Sequence, residues 1–490
     1  MLACTLLLLF PSAIQSDTAD WNTVVVKSAQ AVVSIRSRIR VPVGRDEAGP
    51  FEGSGFVVDG QNGLVATNRH VAGEGVVLDL EIQFFDRSST SASLVFADPL
   101  HDFAFLKFDP KAAPPGLNTI PFDSRTPEIG EEIRMIGNNA GLASTVLNGT
   151  ISNLETHWDQ DPGVAYLQTS IMSSGGSSGS PIVDKDGNAI GMQSAHDERS
   201  SYALPAEYLE TALQKLRKGI LPPRGTIGLR IRKADITEAV AAGGLTQEQA
   251  KKMTGDGIVS ISMIEGVVPG SPAEFIAKAG DVLLSIDSTL ADSTRAVESM
   301  LDRSIGRTVN IKIARNGKID TAAMTVADMA GDRVDQLVLF GGAAFHNITF
   351  EIRARADLRR DGVFVSYVEM GSAAEAADLR RDDVILKVGS TTIRDVYDLW
   401  DVLLKVEHGE KLILVVRRPS SFDSATRTVS MVSDRIWDPT RFLVRTPAGF
   451  IDSPPAKLLT RTESQPAESR PAVVRPPQPV NANEGSKKNR

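Results

Sequence analysis

Three short segments, in a fixed chain order, constrain this sequence more than any other feature. They place a histidine, an aspartate and a glycine-flanked serine next to strand-like apolar runs, and they span residues 67–71, 101–107 and 175–181. Many further short apolar runs follow, with Gly, Pro and Asn between them, a pattern typical of a β-barrel or β-sandwich. The sequence therefore predicts a mostly β fold, with a double β-barrel over residues 17–221 and the three segments at the seam between the barrels.

The polar side chains of these segments are those that an activated serine nucleophile needs. A serine hydroxyl is a poor nucleophile at neutral pH, so it requires an imidazole to take its proton and a carboxylate to hold the imidazole tautomer. His70, Asp102 and Ser178 fill these roles in the chain order of a chymotrypsin-type hydrolase. The backbone N–H groups of Gly176 and Ser178 are the expected oxyanion donors. We therefore expect a chymotrypsin-like serine peptidase domain.

A competing interpretation uses the same serine-rich loop. Residues 175–179 also match Gly-x-Ser-x-Gly, the nucleophile elbow of an α/β-hydrolase, with Ser177 as the nucleophile. That fold needs its acid and its histidine after the serine, and it needs a helix directly after the turn. Because residues 181–188 predict a strand and a turn instead, the sequence favours the chymotrypsin-type arrangement.

These motifs resemble the HtrA (DegP-like) family of trypsin-fold serine proteases with PDZ domains. The resemblance extends from about residue 17 to 434. The sequences of the Asp102 and Ser178 segments are similar to those of the branch of fungal nuclear and plant relatives with several PDZ modules. It implies degradation of unfolded or damaged proteins in quality control, PDZ-gated activation and assembly as a homo-trimer. The stretches that carry it are 53–58, 66–71, 98–107, the Ser178 loop and 224–227.

One position departs from the family pattern. The family commonly has Gly-Asn-Ser-Gly-Gly around its nucleophile, whereas this chain has Ser180 two residues after Ser178. Loss of a glycine restricts the backbone beside the site without removing a catalytic group. A second class of function therefore stays open, in which the chain is a catalytically weak PDZ scaffold or a chaperone-like holdase.

Beyond a Pro-Pro connector at 222–223, an internal repeat resembles two PDZ domains, over 224–328 and 336–434. PDZ domains add an extended peptide to a sheet edge and bind its terminal carboxylate at a Φ-Gly-Φ loop. Ile227, Gly228 and Leu229 offer that loop in the first copy, with a helical wall at 294–301. The second copy begins at Phe340 with a poorer match, so a spacer or an assembly surface is an alternative there, and a packing module without a ligand is an alternative for both copies.

Composition excludes several other functions. The formal charge is -8 with no block of basic residues, which disfavours nucleic-acid binding. The six histidines have no metal-ligand spacing and the only cysteine is Cys4, so we expect no metal, no cofactor and no disulfide. The expected partners are unfolded polypeptide substrates and C-terminal peptides.

The two ends of the chain and the specificity pocket give further expectations. Residues 1–16 resemble a secretory signal peptide and predict export to the periplasm or the extracellular space. Residues 446–490 are rich in Pro, Ser and charged groups and predict a disordered tail. Near Ser173 and residues 193–195 no acid is placed to select Lys or Arg, so we expect cleavage after small or medium apolar residues.

Overall fold

The structure is a computed structural model that describes residues 20–44, 46–139, 142–158, 161–329, 331–356, 358–419, 425–446 and 449–453. The predicted mostly β fold is confirmed: two closed barrels are followed by two sheet units with packed helices. The expected signal peptide and residues 454–490 of the expected tail lie outside the described residues. Within the described ranges, no helix is both long enough and apolar enough to cross a membrane.

The first barrel follows an N-terminal helix whose first turn is capped by Asp20, which accepts from the Asn22 N–H at 3.3 Å. Strand β1 alternates buried and exposed side chains over most of its length, so one face fills the barrel interior. The strands close in the order β1-β2-β3-β6-β5-β4. The elements are α1 Trp21–Ala29, β1 Val32–Val41, β2 Gly49–Asp59, β3 Leu64–Thr67, α2 Arg69–Ala72, β4 Val76–Gln83, β5 Ser89–Ala97 and β6 Ala104–Phe108.

The second barrel closes in the order β10-β11-β12-β9-β8-β7, and a helix ends the domain before the Pro-Pro connector. One apolar cluster joins the two barrels and includes Phe56 and Phe103 from the first and Tyr166 and Leu204 from the second. The seam is therefore a packed core that fixes the barrels relative to each other. The elements are β7 Glu132–Asn139, β8 Leu142–Trp158, β9 Asp161–Thr169, β10 Pro181–Val183, β11 Ala189–His196, β12 Ser201–Pro205 and α3 Ala206–Leu216.

The third unit corresponds to the first expected PDZ domain. Its main sheet has the order β14-β15-β16-β18-β19, so that among the described strands β14 pairs with β15 alone and forms an edge. The elements are β13 Gly225–Thr226, β14 Leu229–Asp235, α4 Ile236–Ala241, α5 Gln247–Gly255, β15 Ser260–Val267, β16 Val282–Ile286, β17 Thr289–Leu290, α6 Thr294–Asp302, β18 Thr308–Arg315, β19 Lys318–Thr325 and β20 Ala327–Asp328.

The fourth unit corresponds to the second expected PDZ domain, and its sheet has the order β27-β26-β24-β23-β22-β21-β28-β29. Strands β28 and β29 lie beyond the expected end of this domain at 434, and β29 lies within the segment expected to be disordered. The elements are β21 Gln336–Phe340, β22 Ala343–Asn347, α7 Phe350–Ala356, β23 Val363–Val368, α8 Ala373–Ala376, β24 Val384–Val388, β25 Thr391–Thr392, α9 Val396–Leu403, β26 Lys411–Arg418, β27 Ala425–Val432, β28 Arg441–Thr446 and β29 Gly449–Asp452.

Candidate active site

The structure brings His70 and Asp102 into direct contact. His70 Nδ1 lies 2.7 Å from Asp102 Oδ2, and the His70 backbone N–H donates to Asp102 Oδ1 at 3.0 Å. Ser194 Oγ also donates to Asp102 Oδ2 at 2.9 Å, and Asn68 Nδ2 donates to the Asp102 carbonyl at 2.7 Å. Asp102 is therefore fixed at both its carboxylate and its backbone, and it orients the imidazole of His70 in the first turn of helix α2.

Electrostatics keep Asp102 ionised and make His70 a stronger base. Burial acts to raise the pKa of Asp102, but the positive charge and the hydrogen bond of His70 outweigh it and hold the pKa below its usual value. Burial acts to lower the pKa of His70, yet the Asp102 charge raises it overall. The His70 side chain is 44% exposed, against 18% for Asp102, so the imidazole remains accessible.

The Ser178 loop is seated beside this pair through strands β2, β3 and β11. The Ser54 N–H donates to the Ser178 carbonyl at 2.7 Å, and the Gly179 N–H donates to the Gln193 carbonyl at 2.9 Å. Gly179 has φ 85°, and a Cβ there would lie 2.0 Å from the Ser54 carbonyl oxygen. The hydrogen bonds between described residues include none that directly joins Ser178 Oγ to His70.

The backbone before Ser178 forms a turn with two available donors. Gly176 has φ 91°, and its carbonyl accepts from Ser54 Oγ at 3.0 Å, so this peptide group has a fixed orientation. In the described part of the chain, nothing accepts from the N–H of Gly176 or of Ser178. The Ser177 hydroxyl is instead buried and donates to the Ser174 carbonyl at 2.6 Å, which disfavours Ser177 as a nucleophile.

Ser180 sits where the family has a glycine, yet it does not have the positive φ that would require one. Its side chain is buried against Gly137, where a Cβ would lie 1.9 Å from Ser180 Oγ. The absence of a side chain at Gly137 on strand β7 therefore leaves the space that the Ser180 side chain occupies. The departure from the family pattern therefore leaves the loop backbone unstrained, but it buries the Ser180 hydroxyl without a hydrogen-bond partner among the described residues.

The loop expected to bind peptide carboxylates opens strand β14. Ile227 is fully buried, and Leu229 begins the edge strand, with α6 in the same unit. Gly228 has φ 86°, and a Cβ would lie 2.0 Å from Ser271 Cβ, so only glycine fits. The Gly228 N–H donates to Thr226 Oγ1 at 2.9 Å, which engages one of the expected donors.

Sequence reasoning missed a buried charge network next to Asp102. His101 is fully buried, with Nδ1 3.3 Å from Asp98 Oδ1 and Nε2 3.3 Å from Glu298 Oε1 on helix α6. Burial acts to lower the pKa of His101, but the Glu298 charge outweighs it and raises the pKa to about 9. Arg224 from the connector also reaches Asp98, with Nη2 2.6 Å from Oδ2.

The same network continues along α6. Arg224 Nη1 lies 2.9 Å from Asp302 Oδ2, and the Tyr208 hydroxyl donates to Glu298 Oε2 at 2.6 Å. The loop that ends at Asp102 is thus tied to a helix of the next domain. No local pattern could have signalled this, because the partners are far apart in sequence. In the described ranges, this network included, no group of three or more His, Cys, Asp or Glu side chains is arranged to hold a metal ion.

Comparison with known protein families agrees with this architecture. Residues 53–192 match the trypsin-like peptidase domain, and residues 225–326 and 364–418 each match a PDZ domain. Two solved structures with similar folds are an HtrA-type protease AlgW with decapeptide, at 23% identity and TM-score 0.47, and a serine endoprotease from Yersinia pestis, at 25% identity and TM-score 0.43. Each covers 63% of this chain, which spans 98% of either structure.

Curated relatives are fungal enzymes named pro-apoptotic serine protease NMA111. Those of Vanderwaltozyma polyspora and Aspergillus niger are 32% and 30% identical over 71% and 87% of this chain. The chain spans only 36% and 42% of their lengths. The expected export to the periplasm or the extracellular space is wrong, because these relatives are fungal NMA111 proteases and not exported periplasmic proteins. With a trypsin-like peptidase domain followed by two PDZ domains, the chain belongs to the HtrA-type serine proteases.

Proposed function

We propose that this chain is a serine endopeptidase that degrades unfolded or damaged polypeptides through an acyl-enzyme. The observation that carries the proposal is the His70–Asp102 pair, held by two hydrogen bonds, with the Ser178 loop seated beside it on the Ser54 N–H. The names of the fungal relatives support the same reaction class.

In this mechanism each side chain has one task. Ser178 Oγ attacks the scissile carbonyl while His70 Nε2 takes its proton and later returns it to the leaving amine. Asp102 holds the imidazole through Nδ1 and stabilises the imidazolium. The N–H groups of Gly176 and Ser178 stabilise the oxyanion of the tetrahedral intermediate. Before this attack, substrate binding draws Ser178 Oγ toward His70 Nε2, since the hydrogen bond between nucleophile and base often shortens only in the enzyme–substrate complex.

The first PDZ domain has the proposed role of binding peptide C-termini. Strand β14 offers an unpaired edge among the described strands, and the loop of Ile227, Gly228 and Leu229 lies at its start. An extended peptide adds to such an edge through backbone hydrogen bonds. Trimer assembly and quality control stay predictions from the family resemblance.

The test uses purified protein with unfolded casein as substrate. Wild-type protein is expected to cleave casein, and Ser178→Ala is expected to abolish cleavage while leaving the circular dichroism spectrum unchanged. Ser177→Ala is the matched control, and it is expected to retain activity because its hydroxyl bonds only a local carbonyl. Equal and negligible cleavage by wild type and Ser178→Ala would count against the enzyme function.

The alternative function is a weak enzyme that acts as a PDZ scaffold or holdase. One observation favours it, namely that the hydrogen bonds of the described residues do not join Ser178 Oγ to His70. A holdase would suppress the aggregation of heated casein without cleaving it, and would do so equally with Ser178→Ala. The unstrained backbone of Ser180 argues against the alternative, because this loop needs no positive φ at that position.

A further inference from the structure

The two PDZ domains differ at the place where a peptide would bind. In the first, β14 follows the Gly228 loop, and its outer edge pairs with no described strand, although β9 packs nearby with Gly163 next to Arg230. In the second, β22 follows the Gly341–Gly342 turn, but its corresponding edge is already paired with β21. Strand β21 runs antiparallel to β22, with Val338 opposite Phe345 and Phe340 opposite Ala343.

Strand β21 also fills the space beside helix α9, which corresponds to the groove helix α6 of the first domain. Val338 and Phe340 are buried, at 0% and 1% exposure, in the same apolar cluster as Leu399 and Trp400 of α9. Peptide recognition by strand addition needs free backbone groups on the receiving edge. Since β21 already pairs with these groups, the peptide slot of the second domain is occupied by the chain itself.

The opposite face of β21 packs on the protease domain. Leu337 and Leu339 share an apolar cluster with Val43 and Val76 of the first barrel. Nearby, the Gly44 N–H donates to His346 Nε2 at 3.0 Å. The strand that fills the slot therefore also anchors the second PDZ domain to the barrel that carries His70.

One ion pair connects this domain to the catalytic helix. Glu351 Oε1 on α7 lies 2.6 Å from Arg69 Nη2, and both side chains are nearly buried, at 14% and 10% exposure. Arg69 directly precedes His70 on α2, and its Nη1 donates to the Asp98 carbonyl at 3.2 Å. Arg69 thus joins the helix of His70 to the loop that ends at Asp102.

Arg69 is surrounded by carboxylates from several elements. Asp46, Glu74, Glu351 and Asp102 all interact with its charge, and burial is the effect that opposes them. Glu351 is the only one of these four that comes from the second PDZ domain. Removal of Glu351 leaves the buried charge of Arg69 compensated only by Asp46, Glu74 and Asp102, and weaker compensation of a buried charge is unfavourable.

We propose that the second PDZ domain is a fixed clamp on the catalytic histidine helix, with its peptide slot occupied in cis by residues 336–340, and that Glu351 is a positioning residue acting through Arg69. This inference rests on the proposed peptidase function. It gives the two PDZ domains different tasks: the first receives peptides, and the second holds the geometry of His70 and Asp102.

The kinetic test replaces Glu351 with glutamine in the full chain and follows cleavage of fluorescent casein. Glu351→Gln is expected to lower kcat, per active site titrated with a fluorophosphonate, by about tenfold with KM changed by less than about twofold. Asp102 and Asp46 act to raise the pKa of His70 and Arg69 acts to lower it, so an Arg69 charge that Glu351 no longer offsets should move the acid limb of kcat/KM to lower pH.

Two further variants keep this test decisive. Glu351→Asp should restore part of the rate, and Glu407→Gln, an exposed position of the same domain, should change neither kcat nor the pH profile. Unchanged kcat and unchanged acid limb in Glu351→Gln would overturn the positioning role. An inactive wild type would instead overturn the proposed peptidase function.

Hydrogen exchange tests the occupied slot independently. The probe is a pool of random hexapeptides with free C-termini, added to the full-length Ser178→Ala protein. Residues 336–340 are expected to exchange slowly without peptide, and residues 343–347 should not change when the pool is added. Fast exchange at 336–340, or new protection at 343–347 on peptide addition, would overturn the cis-occupied slot. Protection at 229–235 bears only on the proposed role of the first domain.

Discussion

The buried imidazolium of His101 offers a quantitative test of how the two domains are joined. We consider His101→Gln, which keeps a polar side chain of similar reach but cannot carry the charge. In the folded protein His101 faces the carboxylates of Asp98 and Glu298, with Arg224 opposing them, and its pKa is raised from 6.5 to about 9. The charged form therefore stabilises the fold.

The contribution of His101 to the free energy of unfolding follows from the difference between its pKa values in the folded and the unfolded protein. At about 1.4 kcal/mol for each tenfold change, His101 contributes about 3 kcal/mol at low pH. Breaking a buried ion pair commonly costs about 3–5 kcal/mol, which agrees. For a folding unit of about 200 residues, such as the protease domain, each kcal/mol lowers the Tm by about 2–4 °C, so we expect the Tm of His101→Gln to fall by about 6–12 °C.

The sign of the pH dependence is fixed by the direction of the pKa change. A group whose pKa is raised by folding contributes its full stability below its unfolded pKa, here 6.5, and loses it as pH rises through about 9. The Tm difference between the parent and His101→Gln should therefore be large at pH 6 and should shrink markedly by pH 10.

The assay is thermal unfolding followed by circular dichroism, in a Ser178→Ala background that removes self-cleavage. His408→Gln is the control, because His408 is 51% exposed and should leave the Tm almost unchanged. A Tm difference that is the same at pH 6 and pH 10, or that is absent at pH 6, would refute the assignment of a stabilising buried charge to His101.

Three further predictions concern the active site. Ser194→Ala removes the hydroxyl that donates to Asp102 Oδ2 at 2.9 Å. Because a hydrogen bond to a charged group is worth about 1.5–3 kcal/mol, kcat/KM for casein should fall about ten- to a hundredfold. An unchanged kcat/KM would show that this bond does not orient Asp102. Gly179→Ala places a Cβ 2.0 Å from the Ser54 carbonyl and should abolish fluorophosphonate labelling, whereas Gly116→Ala, with φ 82° and open space, should label normally. A peptide-library profile should show cleavage after small or medium apolar residues, and a preference for Lys or Arg would contradict the expected pocket.

Local patterns were sufficient to predict most of the protease domain. The sequence predicts strands over 103–108 and 189–192; the first coincides closely with β6 and the second with the first half of β11, because short apolar segments bounded by turn residues have few other ways to bury their side chains. The contact between His70 and Asp102 follows from the chain order of the motifs. Strand β8 was missed because its 17 residues carry many polar groups and lack regular alternation.

The features that join the domains could not be predicted from single segments. The pairing of β21 with β22 needs only a short apolar run and a Gly-Gly turn, but its position beside α9 depends on the packing of three elements. Likewise, Arg69 and Glu351 are paired across most of the chain, and neither stands in a recognisable motif. Such contacts depend on the tertiary arrangement, which the sequence pattern alone does not specify.

The activation of Ser178 by His70 and Asp102 is tested most directly by covalent labelling of the full-length protein with a fluorophosphonate, followed by peptide mass spectrometry. We expect one labelled residue, Ser178, and a labelling rate that rises with pH through the elevated pKa of His70 and is lost in His70→Ala. Labelling at Ser177, or no labelling above that of the denatured chain, would contradict a nucleophile activated by His70 and Asp102.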